Sequence, residues 1–328
     1  MKVLFATDGS AYAAEAARVL GEMEVLHPID LTVLTVSYDP EDLESDVYRP
    51  WYKEFREKED ERIRNHYDQI HELLPHTRSV HMMHLHGNPT HRILEVAREQ
   101  EIDLIVLGAK GHTMLERILV GSVSEAVAFH APCSVLVIRP EETTEANETE
   151  TSGNKITLAY DGSSRAGAAA EELLSLRWNE DTQVEIVGVA PVYDTVGFEY
   201  AGPVTIPEFS DQIRGQAEKL REELVETLPR TAIHLSSERH IGDAIVRRAE
   251  ETGSNMIVMG DSGHSPLGKL ILGSTTKYVL RHAPCSVWIS RFPCAERAQE
   301  AVKAKAESTE STVDSSQASQ LGVSAASS

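Results

Sequence analysis

The sequence predicts an α/β protein of two tandem domains, each an open, doubly wound sheet of five parallel strands. Three observations carry that prediction: the length of 328 residues, an internal repeat, and the alternation of short apolar runs with longer stretches of helical period. At ~100–200 residues per domain the length suits two domains, and 41 % apolar residues are ample for packed cores. The repeat holds its register. Asp8, Gly9 and Ser10 recur as Asp161, Gly162 and Ser163, an offset of 153. Gly108, Gly111, Gly121, Ser122, Pro132 and Cys133 recur as Gly260, Gly263, Gly273, Ser274, Pro284 and Cys285, an offset of 152 throughout. A unit of roughly 140 residues is a whole domain rather than a solenoid repeat. The predicted domains are 1–140 and 155–292, separated by an acidic Glu/Thr linker at 141–154 and followed by a disordered Ala/Ser/Glu-rich tail at 293–328.

Each element follows from the local pattern. In the first unit VLFAT gives strand 2–7, and the Ala-rich AYAAEAARVL has the spacing of a helix, 10–24. LTVLTV gives strand 30–36. The alternating-charge PWYKEFREKEDERIRNHYDQIHELL is rich in i,i+4 partners and predicts a long, solvated helix over 50–74, with coiled-coil pairing as the sharper alternative. Strand 79–85, helix 89–100, strand 103–107, helix 122–130 and strand 134–138 complete the unit. The second unit follows suit with strand 155–160, helix 164–176, strand 182–189, helix 207–227, strand 231–236, helix 242–252, strand 255–259, helix 274–281 and strand 286–290. Near-continuous Val/Ile/Leu strands separated by helices imply right-handed crossovers and a parallel sheet covered on both faces. Such sheets bind ligands at the carboxyl ends of their strands, beside the point where strand order reverses.

Composition narrows the function classes. Lys and Arg total 31 against 52 Asp and Glu, and the net charge of −21 argues against a protein that coats nucleic acid. Cys133, Cys285 and Cys294 form no CxxC pair, so neither a disulfide framework nor a zinc site is supported. No stretch approaches ~18 uninterrupted apolar residues and the first strand begins at once, which predicts a soluble, cytoplasmic protein without membrane contact.

The informative motif is Gly-x2-Gly-x9-Gly-Ser, placed after the fourth strand of each half. Glycine at its first two positions permits positive φ and lets backbone amides approach a ligand. At a helix start the free N–H groups and the dipole favour an anion, and the Ser hydroxyl can donate to a phosphate oxygen or act as N-cap. Two copies in one register point to a phosphate chain, whereas a single copy reads equally well as a turn and a cap.

These residues resemble the ATP-binding branch of the universal stress protein family over about 1–140 and 155–292, including the opening Asp-Gly-Ser and the closing Ala-Pro-Cys-Ser-Val. The resemblance implies a Rossmann-like domain akin to the adenine nucleotide alpha hydrolases. It also implies ATP, with Mg²⁺ or Mn²⁺ on its phosphates. The implied ATP contacts are Asp8, Val36, Leu107, Gly108, Ala109, Gly111, Gly121, Ser122 and Val123 in the first half, and Asp161, Val189, Met259, Gly260, Gly263, Gly273, Ser274 and Thr275 in the second. It further implies that the two last strands pair within the chain as a pseudo-dimer, with homodimerisation and an unidentified regulatory protein partner left open.

Asp8 could accept from adenine, ribose or a metal shell, or simply cap the helix at 10. A receiver-type phosphoacceptor lacks its acidic cluster here, because Thr7 and Tyr160 precede the two Asp residues. Three features rank the N-terminal site first. Lys110 is offered to a polyphosphate, Asp261 stands where a phosphate would pass, and GNPTHRIL is matched by a GDAIV entry that reads about three residues shorter. Lys110, His112, Arg117, His264 and Lys269 otherwise read as solvated loop residues. His84 and His86 share one face of a strand with His81 on the other, a decorated edge rather than a metal site, and Cys133 and Cys285 read as packing residues. No Ser/His/Asp set, carboxylate pair or GxxxxGK[ST] loop is visible, so no catalytic residue is assigned. The expected function is a nucleotide sensor or regulator in stress response. A nucleotide-free scaffold, a slow ATP hydrolase and an adenylating PP-loop-like enzyme are the rivals, the last lacking its SGGxDS-type loop.

Overall fold

A computed structural model describes residues 1–25, 29–37, 57–58, 61, 63–64, 67–68, 70, 77–110, 120–140, 154–193, 204–205, 207–262 and 272–291. Most of the predicted helix 50–74, the linker, the tail, and the motif glycines Gly111 and Gly263 lie outside the described residues.

The first half runs β1 (Lys2–Thr7), α1 (Ala11–Glu22), β2 (Glu24–Val25), β3 (Ile29–Ser37), β4 (Thr77–His86), α2 (Pro89–Glu99), β5 (Leu104–Gly108), α3 (Ser122–His130) and β6 (Ser134–Ile138). The second runs β7 (Lys155–Ala159), α4 (Ser164–Leu174), β8 (Leu176–Arg177), β9 (Gln183–Tyr193), β10 (Val204–Thr205), α5 (Pro207–Leu224), β11 (Arg230–Glu238), α6 (Ile241–Thr252), β12 (Met256–Gly260), α7 (Ser274–His282) and β13 (Ser286–Ser290). Five parallel strands per half stand in the order β6-β5-β1-β3-β4 and β13-β12-β7-β9-β11. Strand order reverses at β1 and β7, which makes their carboxyl ends the expected crevices. Two small additions escape the sequence pattern. The two-residue β2 and β8 pair antiparallel, and β10 pairs antiparallel with β9.

Side-chain oxygens cap the starts of α1, α2 and α4. Ser10 Oγ accepts from Ala13 N at 3.2 Å, Ser163 Oγ from Ala166 N at 3.2 Å, and Asn88 Oδ1 from His91 N at 3.0 Å, each satisfying an N–H that the helix leaves open. Gly253, in the left-handed region at φ 62°, ends α6. The predicted three-residue shortening ahead of α6 is not there. β4 ends at His86 and β11 at Glu238, and α2 starts at Pro89 and α6 at Ile241, both at an offset of 152. What differs is chemistry, because Arg239-His240 replaces Gly87 (φ 120°) and the Asn88 cap.

The apolar runs are buried on both faces of the sheet. One face packs Leu4, Ile105 and Val135 against α2 and α3 residues such as Ile93 and Val127; the other packs Phe5, Val33 and Leu136 against Ala16, Ala17 and Leu20 of α1. Each core continues from one half into the other, since β6 and β13 pair antiparallel with Leu136 opposite Trp288. Among the described residues no helix is long and apolar enough to cross a membrane.

Polar groups lock the joint with pseudo-twofold symmetry. Buried Arg139, just after β6, donates to Leu280 O at 2.6 Å and Cys285 O at 2.9 Å at the end of α7. Its counterpart Arg291, just after β13, donates to Ala128 O and, at 3.1 Å, to Cys133 O at the end of α3. Each guanidinium thus meets one carbonyl that a helix C-terminus leaves without an intrahelical donor, where the helix dipole also favours a cation, and one carbonyl just ahead of the closing strand. Half-buried Glu172 of α4 accepts from Ser134 Oγ at 2.7 Å and Trp288 Nε1 at 2.8 Å, one from each closing strand. At the rim Arg281 pairs with Glu125, and Lys277 and Arg281 lie over the Phe129 ring at 5.3 and 5.7 Å.

Candidate functional site

A cleft of ≈ 240 Å³ opens at the carboxyl ends of β1, β3 and β5, where strand order reverses. Its floor is apolar, formed by Ala6, Leu34, Val36, Ile93 and Leu107, with Pro89 and Val123 from the starts of α2 and α3. Its polar groups are Thr7, Asp8, Lys110, Ser122 and Ser124, with Gly108 and Gly121 also on the lining. An apolar floor with a few convergent polar groups is the usual make-up of a small-molecule site.

The described glycines of the motif act through close approach, not positive φ. A Cβ on Gly108 would lie 3.0 Å from the backbone C and O of Tyr12, so only glycine lets β5 end against the first turn of α1. Gly121 has φ −74° and serves as N-cap of α3, with no side chain to cap that helix. The first N–H groups of α3 therefore lack an intrahelical acceptor at the cleft. Positive φ falls instead on Gly9 and Gly162, in the Asp-Gly-Ser turns. Ser122 is the first residue of α3, exposed and not its cap.

The opening turns also resolve the role of the aspartates. Asp8 Oδ1 accepts from Ser10 N at 3.0 Å and Asp161 Oδ1 from Ser163 N at 3.0 Å, while Ser10 and Ser163 cap the helices. Helix capping is thus not the task of Asp8, which lines the cleft. Of the other sequence-predicted contacts, Val36, Leu107, Gly108, Gly121, Ser122 and Val123 line the cleft with it, whereas Ala109 is buried behind the loop. Ala109 fixes the loop through its backbone: its N–H donates to Ile138 O at 2.7 Å and its carbonyl accepts from Gly121 N at 2.6 Å.

The sequence profile of the universal stress protein family matches residues 1–139 and 153–291. The chain belongs to the universal stress protein family. Within it, a 60-residue stretch is 48 % identical to a universal stress protein of Methanocaldococcus jannaschii, covering 18 % of this chain and 35 % of the relative. A 56-residue stretch is 50 % identical to a putative universal stress protein of Staphylococcus haemolyticus, covering 17 % and 34 %. The chain thus spans about a third of the length of the curated relatives it matches. A solved universal stress protein from Archaeoglobus fulgidus shares the fold, with a TM-score of 0.60 and 21 % identity over 88 % of this chain and 96 % of that one.

In this universal stress protein the second half repeats the loop with different chemistry. Asp261 N donates to Ser290 O at 3.0 Å and Asp261 O accepts from Gly273 N at 2.8 Å, as Ala109 does in the first half. A Cβ on Gly260 would likewise lie 3.0 Å from the backbone of Arg165, the residue in the place of Tyr12. The Asp261 carboxylate does not stand in a phosphate path. It is buried, paired with Arg165 and 3.8 Å from Arg291 Nε, so its charge is answered from within the protein. Asp161, Val189, Met259, Gly260, Gly273, Ser274 and Thr275 occupy the places equivalent to the first-half contacts, and Met259 and Val189 are buried.

Two site residues went unread in the sequence. Ser124 Oγ donates to Gly108 O at 2.8 Å and Thr276 Oγ1 to Gly260 O at 3.0 Å, pinning the end of each fourth strand to the following helix. Their signal was a hydroxyl two residues after each Gly-Ser of the motif. Tyr12 was also missed, and the Lys110 Nζ lies 5.7 Å from its ring centroid. His84 contacts Ser37 Oγ at 2.8 Å and the His86 ring at 4.6 Å; among the described residues no three His, Cys, Asp or Glu gather as a metal site. Cys133 and Cys285 are buried, form no disulfide, and accept from the two arginines through their backbone carbonyls. His112, Arg117, His264 and Lys269 lie outside the described residues.

Proposed function

We propose that this chain is a cytoplasmic, ATP-binding regulator of stress response whose nucleotide occupies the N-terminal cleft. The observation that carries the reading is the meeting of the Gly108 and Gly121-Ser122 segments with an apolar floor at the strand-order reversal. The floor suits a purine and ribose, and the uncapped start of α3 with Lys110 suits phosphates. Asp8 is the one carboxylate among the described lining residues, so Mg²⁺ or Mn²⁺ fits there as part of a metal–nucleotide complex, with phosphates and water supplying most of its ligands. The small number of acid–base groups among the described lining residues supports a binding role.

We assign the two domains to 1–140 and 155–292, and the pairing of β6 with β13 supports an intrachain pseudo-dimer. The second half is the weaker candidate, since Ser262 stands where the first half has Lys110 and the neighbouring Asp261 is paired with Arg165.

The test is calorimetric titration with Mg-ATP of wild type and Ser122→Asp. Gly108→Val is a poor probe because it would drive α1 from β5. A carboxylate at the first position of α3 favours the helix while repelling a phosphate. Ser122→Asp is expected to weaken ATP at least about 30-fold, with an unchanged or raised Tm. Ser274→Asp is expected to leave that affinity intact. Wild type that shows neither heat nor thermal protection at millimolar ATP would instead make the protein a nucleotide-free scaffold.

A further inference from the structure

We propose that Arg291, supplied by the second half, is a positioning residue for the N-terminal cleft: it closes the far end of α3 and so holds the start of that helix toward the ligand. The inference rests on the nucleotide reading above and adds to it a residue from outside the cleft.

α3 runs from Ser122, on the cleft lining, to His130 at the joint. A helix would supply the carbonyl of Ala128 with the N–H four residues on, but that residue is Pro132, which has none to give. Arg291 fills the gap, donating to Ala128 O and, at 3.1 Å, to Cys133 O. Near the other end, Ser124 Oγ donates to Gly108 O at 2.8 Å. A helix of nine residues is about 14 Å long and moves as a rod, so a tilt at Ala128 displaces the N–H groups that follow Gly121.

The arginine is itself anchored. Its Nε lies 3.8 Å from Asp261 Oδ2, and the Asp261 backbone is bonded to Ser290 O and Gly273 N. Pro284 leaves Leu280 O open in the same way and Arg139 fills it, but Ala109 stands where the second half has Asp261. The carboxylate that sets the second loop apart thus braces the helix of the first cleft. The rim pair Arg281–Glu125 also joins α7 to α3, but the Arg281 side chain is 54 % exposed and such pairs contribute little.

The experiment is calorimetric titration with Mg-ATP of wild type, Arg291→Ala, Arg291→Lys and Arg139→Ala, read at the site that Ser122→Asp weakens and at a temperature where circular dichroism shows each protein folded. Arg291→Ala is expected to weaken ATP about ten-fold, and Arg139→Ala less than about two-fold although it also loses stability. Arg291→Lys keeps the charge but not the fork that reaches both carbonyls, and is expected to lose about three-fold. It carries the comparison where the alanine variant does not fold. Equal losses from Arg291→Ala and Arg139→Ala would reduce the effect to general loosening, and wild-type affinity in Arg291→Lys would reduce it to charge. Either result overturns the inference and leaves ATP binding standing. Wild type that binds no ATP would remove both readings.

Discussion

Arg291→Ala is expected to lower the unfolding free energy by about 3–5 kcal/mol, and Arg139→Ala by a smaller amount, about 2–3 kcal/mol. Both arginines are buried at the joint, and either truncation takes the guanidinium from one helix-end carbonyl and from one carbonyl just ahead of a closing strand. They differ in their counter-charge. Arg291 Nε lies 3.8 Å from the Asp261 carboxylate, while the residue in that place beside Arg139 is Ala109. Arg139 Nε accordingly has no hydrogen-bond partner among the described residues, and burial pushes its pKa down to about 10, which still leaves it protonated at neutral pH. Its desolvation is offset only by carbonyl dipoles, so removing it relieves part of a cost that Arg291 does not carry to the same degree. Denaturant titrations of the two variants check the ranking. A cycle with Asp261→Ala isolates the ion-pair contribution, and equal losses from both arginines would show that Asp261 contributes nothing to the difference.

Stability is also expected to fall by about 3 kcal/mol as pH rises from about 4.5 through about 7, and Glu172→Gln is expected to abolish that slope. Burial pushes the Glu172 carboxyl up from 4.5 to about 7, against the opposing hydrogen bonds from Ser134 and Trp288 and with Ser290 alongside. More distantly, Asp103 adds a like charge in the same direction. A carboxyl whose folded pKa is raised binds more protons in the native state than in the unfolded one. Its stabilising contribution is therefore complete below the unfolded value and is lost as pH climbs through the folded value. A glutamine keeps the shape, with its oxygen accepting from Trp288 and its amide donating to Ser134, and stays neutral throughout. Glu172→Gln should match wild type near pH 5 and exceed it by about 2–3 kcal/mol above pH 8. Parallel stability–pH curves for the two proteins would refute the assignment.

The fold was legible because the repeat and the strand alternation are written in local residues. α3, β6 and β13 match the predicted ranges, since a Gly-Ser opens the preceding helix in each half and an Ala-Pro-Cys announces each last strand. β9 was underestimated, as the pattern stops at 189 whereas the strand continues past Pro191 to Tyr193. The cleft was legible through Asp8, Val36 and the motif glycines, but the reason for Gly108 was not, because a close approach to Tyr12 depends on how α1 lies over β5. The arginine pair escaped for a similar reason. Its acceptors are backbone carbonyls more than 140 residues away, and carbonyls leave no mark in a sequence. One signal was present, since Arg139 and Arg291 stand at the same offset of 152 as the motif. The opposite error was made at Asp261, where the spacing placed a charge correctly but not the direction of its side chain.

The antiparallel seam between β6 and β13 changes the mass action of the molecule. Two separate domains that met along these strands would dissociate on dilution. Joined by about 14 residues of connecting chain, each closing strand instead sees its partner at an effective concentration on the order of millimolar, whatever the protein concentration. The inner edge of each half is thereby occupied permanently, and the free sheet edges among the described strands lie at opposite ends, beside β4 and β11. Dilution should leave the unfolding midpoint where it is, and the two halves, freed from the need to match a twin, could diverge as Lys110 and Asp261 have done.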